Sequence, residues 1–490
     1  MSVGEMRDAV RRDLPLGATL ALLALLAAWI VSVSPLASEI AGLRWTLLWL
    51  VPLALLTAAA AAFVAFVNPR ALLLVAFALL PVVRIEPAPV DIIFALLIAA
   101  SLFQPLVRPA VPSAIYALVA LYGILTVISM LNVQVLSEAL RFELITLYLL
   151  VLAVWITRVF RDSTLTRLAM KVYILGACAS AILGMVALHL GFPGRDFFIY
   201  GSEYLEGGEA RAQGLFKDPN VFAPYLVPAA VIVLEDIVQP RLLGWRTRWK
   251  VVVLAVLGAG IVFAFSRAAW LNLGIAVATL IVVYAWRRGG LAQVMRLLVP
   301  VIAVVVVGVA LLAWTGSTSF LEERSGIQSY DVGRFATQGA AFDAATERVF
   351  GHGPGETKTL LVRATHSIFA RAAFEQGIPG LLVLSALLVA TIYCGIVLAA
   401  RRRHVDGIGT AALLGAWLGI FANGFFVDTL HWRHLWLVAA LIWFGTAMLA
   451  RADDAPRAEV VADPAGRRPR GSPRQPAVGS RGGARPAGAG

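Results

Sequence analysis

Charge is scarce in this chain. Asp, Glu, Lys and Arg make up 14% of its 490 residues, where a soluble globular chain carries about 25%. That shortage excludes a water-soluble enzyme and a disordered regulator. Cysteine is nearly absent. Cys178 and Cys394 each fall inside an apolar run, so neither a disulfide framework nor a zinc spacing can be built from them. What the chain does have is apolar surface, with hydrophobic residues at 60%. Such a length would ordinarily suggest about three soluble domains. Here it suggests one large bundle of membrane-spanning helices.

The formal net charge is +12. A basic balance can signal nucleic acid when Lys and Arg cluster on a polar domain. Here they sit in short loops between apolar runs and in the C-terminal stretch, a pattern of membrane topology. The start, 1–13, is polar and carries Arg7, Arg11 and Arg12. The apolar run 16–34 follows. In outline it resembles a signal peptide, but it has span length and no clear cleavage site follows it, so it reads as a retained first span.

A span needs about 20 mostly apolar residues, and about fourteen runs qualify. They are 16–34, 46–67, 71–83, 90–107, 113–131, 142–160, 168–190, 220–238, 250–265, 268–286, 295–314, 378–400, 408–425 and 434–450. The run 71–83 is short enough to be re-entrant. Only Ser266 and Arg267 separate 250–265 from 268–286. The expectation is an all-α polytopic membrane protein of about 12–14 transmembrane helices. With the N-terminus inside, the inner loops hold more than twice as many Lys and Arg as the short outer loops, which places both termini inside. The membrane domain is expected over 1–450. The stretch 451–490 is rich in Arg, Pro, Gly and Ala and reads as a disordered cytoplasmic tail able to touch anionic lipid heads.

Two outer segments, 191–219 and 315–377, exceed the length of ordinary connections, which points to function. The first ends in Arg211-Ala-Gln-Gly-Leu-Phe-Lys217-Asp218-Pro219-Asn220-Val-Phe-Ala. Asp218 is a good N-cap and Pro219 suits the first helical position. A membrane helix therefore begins there, with an N-terminus that attracts anions and with Arg211 and Lys217 just before it. The alternative is an ordinary interfacial helix start with snorkelling cations. Arg267, in Phe265-Ser266-Arg267-Ala-Ala-Trp270, is held at the outer membrane boundary, where a charge is costly and suggests function. A turn arginine reaching lipid phosphate is the plainer reading.

The second segment holds Arg334, Arg348, Gly351-His352-Gly353-Pro354-Gly355 and Thr365-His366-Ser367. The glycine run lacks the Lys-Ser/Thr ending and the preceding strand of a phosphate loop, so it reads as a tight turn. From His366 to Glu375 the pattern predicts a short helix stopped by Gly377 and Pro379. A neutral imidazole at its start would suit a general base, although a lone loop histidine is more often a surface residue. His431 and His434 stand at helical spacing, but a metal site would need further ligands, and structural roles fit them better.

Three segments together resemble the O-antigen ligase and polymerase superfamily of bacterial envelope glycosyltransferases. They are the 211–223 stretch, Phe-Ser-Arg-Ala-Ala-Trp at 265–270, and Gly-His-Gly-Pro-Gly followed by His-Ser and Glu-Gln-Gly-Ile-Pro-Gly across 351–380. The likeness covers roughly 205–425. It implies a GT-C-like helical bundle in the bacterial inner membrane, with its site on the periplasmic face. It implies a donor glycan on a polyprenyl diphosphate carrier and a glycan, lipid or protein acceptor in surface polysaccharide assembly. No metal, nucleotide or nucleic acid is implied. Carried over by motif, Arg211 and Arg267 take diphosphate roles, with Lys217 as a further diphosphate contact, and His366 takes the base role. Arg334, Arg348 and Glu375 are candidate donor or acceptor contacts. Many relatives show Asn after the histidine; here Ser367 follows, which leaves the acceptor class open. The rival reading is a transporter or flippase for an envelope lipid or polysaccharide precursor. Against it, Asp91, Glu143, Lys171, Glu235 and Asp236 lie near span ends and the midspan sections are almost free of charge.

Overall fold

The computed structural model describes residues 68–84, 88–103, 108–201, 210–287, 290–326, 329–361 and 364–461, with scattered positions between 57 and 64. The candidate span 16–34 and most of 46–67 lie outside the described residues, as does the tail from 462 on. By packing, the chain divides into Met1–Met448 and Leu449–Gly490.

The first unit is helical. In order it contains α1 (Pro69–Ala78), α2 (Pro89–Ser101), α3 (Ser113–Ser129), α4 (Leu136–Val159) and α5 (Ser163–His189). The two-residue strands β1 (Ile199–Tyr200) and β2 (Arg211–Ala212) follow, then α6 (Pro219–Val238), α7 (Thr247–Phe263), α8 (Arg267–Trp286) and α9 (Gly290–Trp314). Three helices occupy the second long loop: α10 (Thr318–Ser325), α11 (Ser329–Ala344) and the single turn α12 (Thr357–Leu360). The chain continues through α13 (Ile368–Arg401), β3 (His404–Val405), β4 (Ile408–Gly409), α14 (Thr410–Asn423) and α15 (Arg433–Val461). Both strand pairs are antiparallel.

Every candidate run from 71–83 onward coincides with a helix. Among the described residues, eight helices are long and apolar enough to cross a membrane: α3 with its 3-10 extension, α4, α5, α6, α8, α9, α13 and α15. The protein is a polytopic membrane protein. α1, α2 and α14 are shorter apolar helices. At about 1.5 Å per residue, α1 reaches only about 15 Å, half of a hydrocarbon core. The last helix also runs past the expected boundary at 450. It is described as helical to Val461.

Packing follows from side-chain size. α6 is the most buried of the long helices and α9 among the least, as expected of a central helix and one turned to lipid. α8 and α14 make the closest helix pair. On α14, Gly415 sits where an added Cβ would stand 2.6 Å from the Ala276 carbonyl, and Gly419 faces Asn272. Small residues one turn apart let two backbones approach in the absence of a hydrophobic driving force between helices.

Among the described residues, several ionisable side chains inside the bundle are ion-paired or hydrogen-bonded. Arg433 of α15 grips Asp91 of α2 through both carboxylate oxygens. Lys250 meets Asp236 at 2.7 Å, both side chains buried. The Glu235 carboxylate accepts from the Ala412 amide at 2.6 Å, and Glu143 accepts from the Thr126 hydroxyl at 2.9 Å. Removing one partner of such a pair would strand the other in an apolar setting at a cost of about 3–5 kcal/mol.

Candidate functional site

The two arginine motifs meet at the start of α6 and α8. Asp218 caps α6, its side chain accepting from the Asn220 amide at 2.7 Å, and Pro219 occupies the first helical position. The cap points the Asn220 side chain back toward the preceding strand. Its oxygen accepts from Arg211 Nη2 at 3.1 Å and from Ser266 Oγ at 3.0 Å. Arg211 Nε also donates to the Ala264 carbonyl at 2.8 Å. Arg211 is buried, held on β2 by its pairing with Tyr200. Arg211, Asn220, Ser266 and the start of α8 therefore form one hydrogen-bonded chain.

Phe265, just before that start, has φ +47. A bulky side chain pays in strain for this left-handed backbone, a cost tolerated where the surroundings fix the conformation. The kink turns the chain sharply between α7 and α8 and delivers Arg267 as the first residue of α8.

Above this floor lies a cavity of about 330 Å³ lined by Asn220, Arg267, Ala268, Leu271, Asp331, Arg334, Phe335, Gln338, Phe426 and Val427. Three walls contribute. α8 gives its N-terminal turn, α11 gives one face, and the connection after α14 gives Phe426 and Val427. Arg267 is engaged with Asp331 at 2.7 Å. The N-terminus of α8, which has no side-chain cap, makes the cavity beside Arg267 and Arg334 a favourable place for an anion.

His366 stands at the rim. Gln338 Nε2, on the cavity wall, donates to its carbonyl at 3.5 Å. Its φ is +47, like that of Phe265. Ser367, not His366, is the N-cap of α13, its hydroxyl accepting from the Ala370 amide. The helix thus begins at Ile368, two residues later than the sequence pattern predicts, and His366 lies just before its cap. Its imidazole is held below the ordinary histidine range chiefly by burial and then by Arg334, against the opposing pull of Asp218 and Asp428. The neutral form is favoured, but by burial and a neighbouring cation more than by a helix end.

Behind His366 a second constellation fixes the start of α13. Arg371, buried, pairs with Glu375 at 3.0 Å and with Asp428 at 2.6 Å, and its guanidinium lies 4.9 Å over the Phe142 ring. Burial alone would push the Asp428 carboxyl up, but Arg371 and His431 outweigh it and hold the group below its usual range. The Ile368 amide donates to the Gly424 carbonyl at 2.9 Å. Together these bonds tie the His366 segment to the Phe426–Val427 wall.

The glycine run is a tight turn. Gly351, Gly353 and Gly355 have φ of +71, +102 and +80. The turn rests on the end of the first helical stretch of α13. The His352 ring stacks on Phe374 at 4.5 Å, the His352 amide donates to the Phe374 carbonyl, and the Gly353 amide donates to the Glu375 carbonyl. Gly377, at φ +70, breaks the helix there, before Pro379, as the pattern predicts.

The expected site residues therefore fall into two groups. Arg267 and Arg334 line the cavity, while Arg211 and His366 do not line it but bond to residues that do, Arg211 to Asn220 and the His366 carbonyl to Gln338. Lys217, Arg348 and Glu375 do not line it. Lys217 is exposed before the α6 cap. Arg348 is exposed and donates to the Asn132 carbonyl at 3.3 Å. Glu375 is buried, and its carboxylate binds Arg371 and the amide of Gly355. Its place is inside the scaffold, as a brace between α13 and the glycine turn. His431 and His434 also diverge. His431 meets Thr146 at 3.0 Å and stacks on Phe142, while His434 stacks on Trp432.

Residues 251–385 match the O-antigen ligase family model. No curated protein matches the chain. The matched segment holds the α7–α8 turn, Arg267, Asp331, Arg334, the glycine turn, His366 and Arg371. It ends short of Asp428 and begins after Arg211 and Asn220.

Sequence reasoning passed over Asn220, Ser266, Asp331, Gln338 and Asp428. Asn220 and Ser266 lay inside the quoted motifs, and their polarity beside an arginine was the available signal. Asp331 stands three residues before Arg334, on the same helical face. Asp428 carried no local signal, because its partner Arg371 is 57 residues away.

Proposed function

We propose that this protein is an O-antigen ligase-like membrane glycosyltransferase. It moves a glycan from a polyprenyl diphosphate carrier to an acceptor hydroxyl, at a site on the outer face of a bacterial inner membrane. The observation that carries the reading is a cavity at the N-terminus of α8, lined by Arg267 and Arg334 and linked by hydrogen bonds to Arg211 through Asn220 and to the His366 backbone through Gln338. In this reading Arg267 and Arg334, with the α8 N-terminus, hold the diphosphate. Arg211 braces that floor through Asn220 and adds its charge from beneath.

The chemistry follows from these groups. The acceptor oxygen bonds to the anomeric carbon as the bond from that carbon to the diphosphate oxygen breaks. The electron pair stays on the diphosphate, and the hydroxyl proton passes to the His366 imidazole. A diphosphate leaves readily, so the main demand is on cations set in advance around the developing charge. The acceptor side needs a base that is neutral near pH 7, and the surroundings of His366 favour that form.

The test is a transfer assay on purified full-length protein in lipid, with polyprenyl diphosphate-linked glycan and candidate acceptors. Wild type should release carrier diphosphate and glycosylate an acceptor in the presence of a chelator. His366→Ala should lose transfer by at least about a hundredfold while inserting normally. Product length separates ligation from polymerisation. Intact, inserted wild-type protein that transfers to no acceptor class would overturn the reading and move attention to transport of the same carrier.

A further inference from the structure

Arg267 is held by a carboxylate of this same chain. Its Nη2 donates to both oxygens of Asp331, at 2.8 and 2.7 Å, and its Nη1 donates to the Gly326 carbonyl at 2.7 Å. The ion pair joins positions 64 residues apart. Asp331 belongs to the first turn of α11. Arg334, Phe335 and Gln338 follow on the same face and line the cavity with it.

The two ends of α11 are held differently. Near its C-terminus, Ala341 is buried with Ala370 and Phe374 of α13, and Ala344 packs against that cluster. Gln338 donates to the carbonyls of His366 and Phe425. Near its N-terminus the ion pair with Arg267 ties the helix to α8. A carboxylate and a phosphate ask the same thing of a guanidinium, namely anionic oxygens along its N–H bonds. With Nη2 directed at both Asp331 oxygens, a phosphate oxygen gains that nitrogen only by displacing at least one of them.

We propose that Asp331 is a displaceable carboxylate that competes with the carrier diphosphate for Arg267, so that it weakens the hold on the donor and drives out the spent carrier. The proposal rests on the glycosyl-transfer reading above. The donor diphosphate is esterified at both ends. After transfer the glycan end is free, and that phosphate gains about one further negative charge near neutral pH. Two arginines and a helix N-terminus therefore bind the product more tightly than the substrate. Slow product release would then limit turnover. Asp331 is covalently tethered beside Nη2 on a helix anchored at its other end, so it rebinds at high effective concentration as the product leaves. It acts on the substrate through Arg267 and is a positioning residue.

The experiment measures equilibrium binding of farnesyl diphosphate to full-length protein in lipid, using wild type, Asp331→Asn, Arg267→Ala and the double variant. Asp331→Asn should bind about tenfold more tightly, the worth of one charge-assisted bond no longer in competition. The double variant should lose that gain, because it depends on Arg267. In turnover, Asp331→Asn should lower KM and kcat together and become more sensitive to inhibition by added farnesyl diphosphate. Asp331→Ser should behave alike; loss of binding in both variants would mark a purely structural residue and overturn the proposal. Unchanged binding in Asp331→Asn, with weaker binding in Arg267→Ala, overturns the role of Asp331 alone. Binding indifferent to Arg267→Ala overturns the diphosphate reading beneath it, and this proposal with it.

Discussion

At the scale of single residues, the site works by setting neutral and charged groups side by side. His366 is kept neutral first by burial and then by Arg334. A base must be unprotonated, so activity should fall as pH drops through the His366 pKa. Because that pKa is lowered, the acid limb of kcat/KM against pH should lie below about 6.5, the value of a free imidazole. Arg334→Ala removes one of the groups that disfavour imidazolium. The limb should then move to higher pH, with Asp218 and Asp428 left to act in the same direction. A limb that stays in place in this variant would show that Arg334 does not act on the base. The arginines were legible in the sequence because charge is so sparse that each one at a span end stands out. Asp331 and Asp428 were not, since an ion pair is a relation between distant positions and neither member signals the other.

At the scale of elements, boundaries were legible wherever a cap or a breaker has its own chemistry. Asp218 and Pro219 start α6 where the sequence places them, and Gly377 ends the first stretch of α13. The start of α13 is misplaced because the Ser367 hydroxyl caps the helix, with an oxygen that the His366 side chain lacks, so the helix begins at Ile368 rather than at His366. Gly377 also gives an element-scale prediction. An added Cβ there would stand 2.7 Å from the Gly351 amide nitrogen, on a backbone at φ +70. Gly377→Ala should destabilise the protein by about 1–3 kcal/mol, read as a lower thermal midpoint in detergent, and should reduce transfer by shifting the glycine turn off Phe374. Gly339, on α11, has nothing near its missing Cβ. Gly339→Ala should leave the midpoint unchanged or raise it, since alanine favours a helix by about 0.5–1 kcal/mol. Equal losses in both variants would contradict the account of the turn.

At the scale of the whole molecule, the helical membrane architecture was readable from the apolar runs. The number of full-length spans was less so, because hydropathy does not distinguish a crossing from a shorter apolar helix such as α2. The orientation proposed here puts the cavity outside and the α13–α14 connection inside. Lys217 and Arg402 are both exposed and stand on the two expected sides. Cys178 and Cys394 are buried and should react little. In intact cells, Lys217→Cys should therefore label with an impermeant maleimide, and Arg402→Cys should label only after the membrane is opened. The reverse pattern would put the site on the wrong face for an envelope glycan.

The amide of Asn220 has a consequence for how this site can be inherited or borrowed. Its oxygen joins Arg211, which precedes the segment matching the O-antigen ligase family model, to Ser266, which lies within it. Arg371 is likewise bound to Asp428, which lies beyond the segment's end. Residues 251–385 transplanted into another membrane scaffold would bring Arg267, Arg334 and His366 but not the floor beneath them or the wall behind them. The site is not a portable module. A lineage that varies one side of either bond must adjust the other, so 211 with 220, and 371 with 428, should change together or not at all.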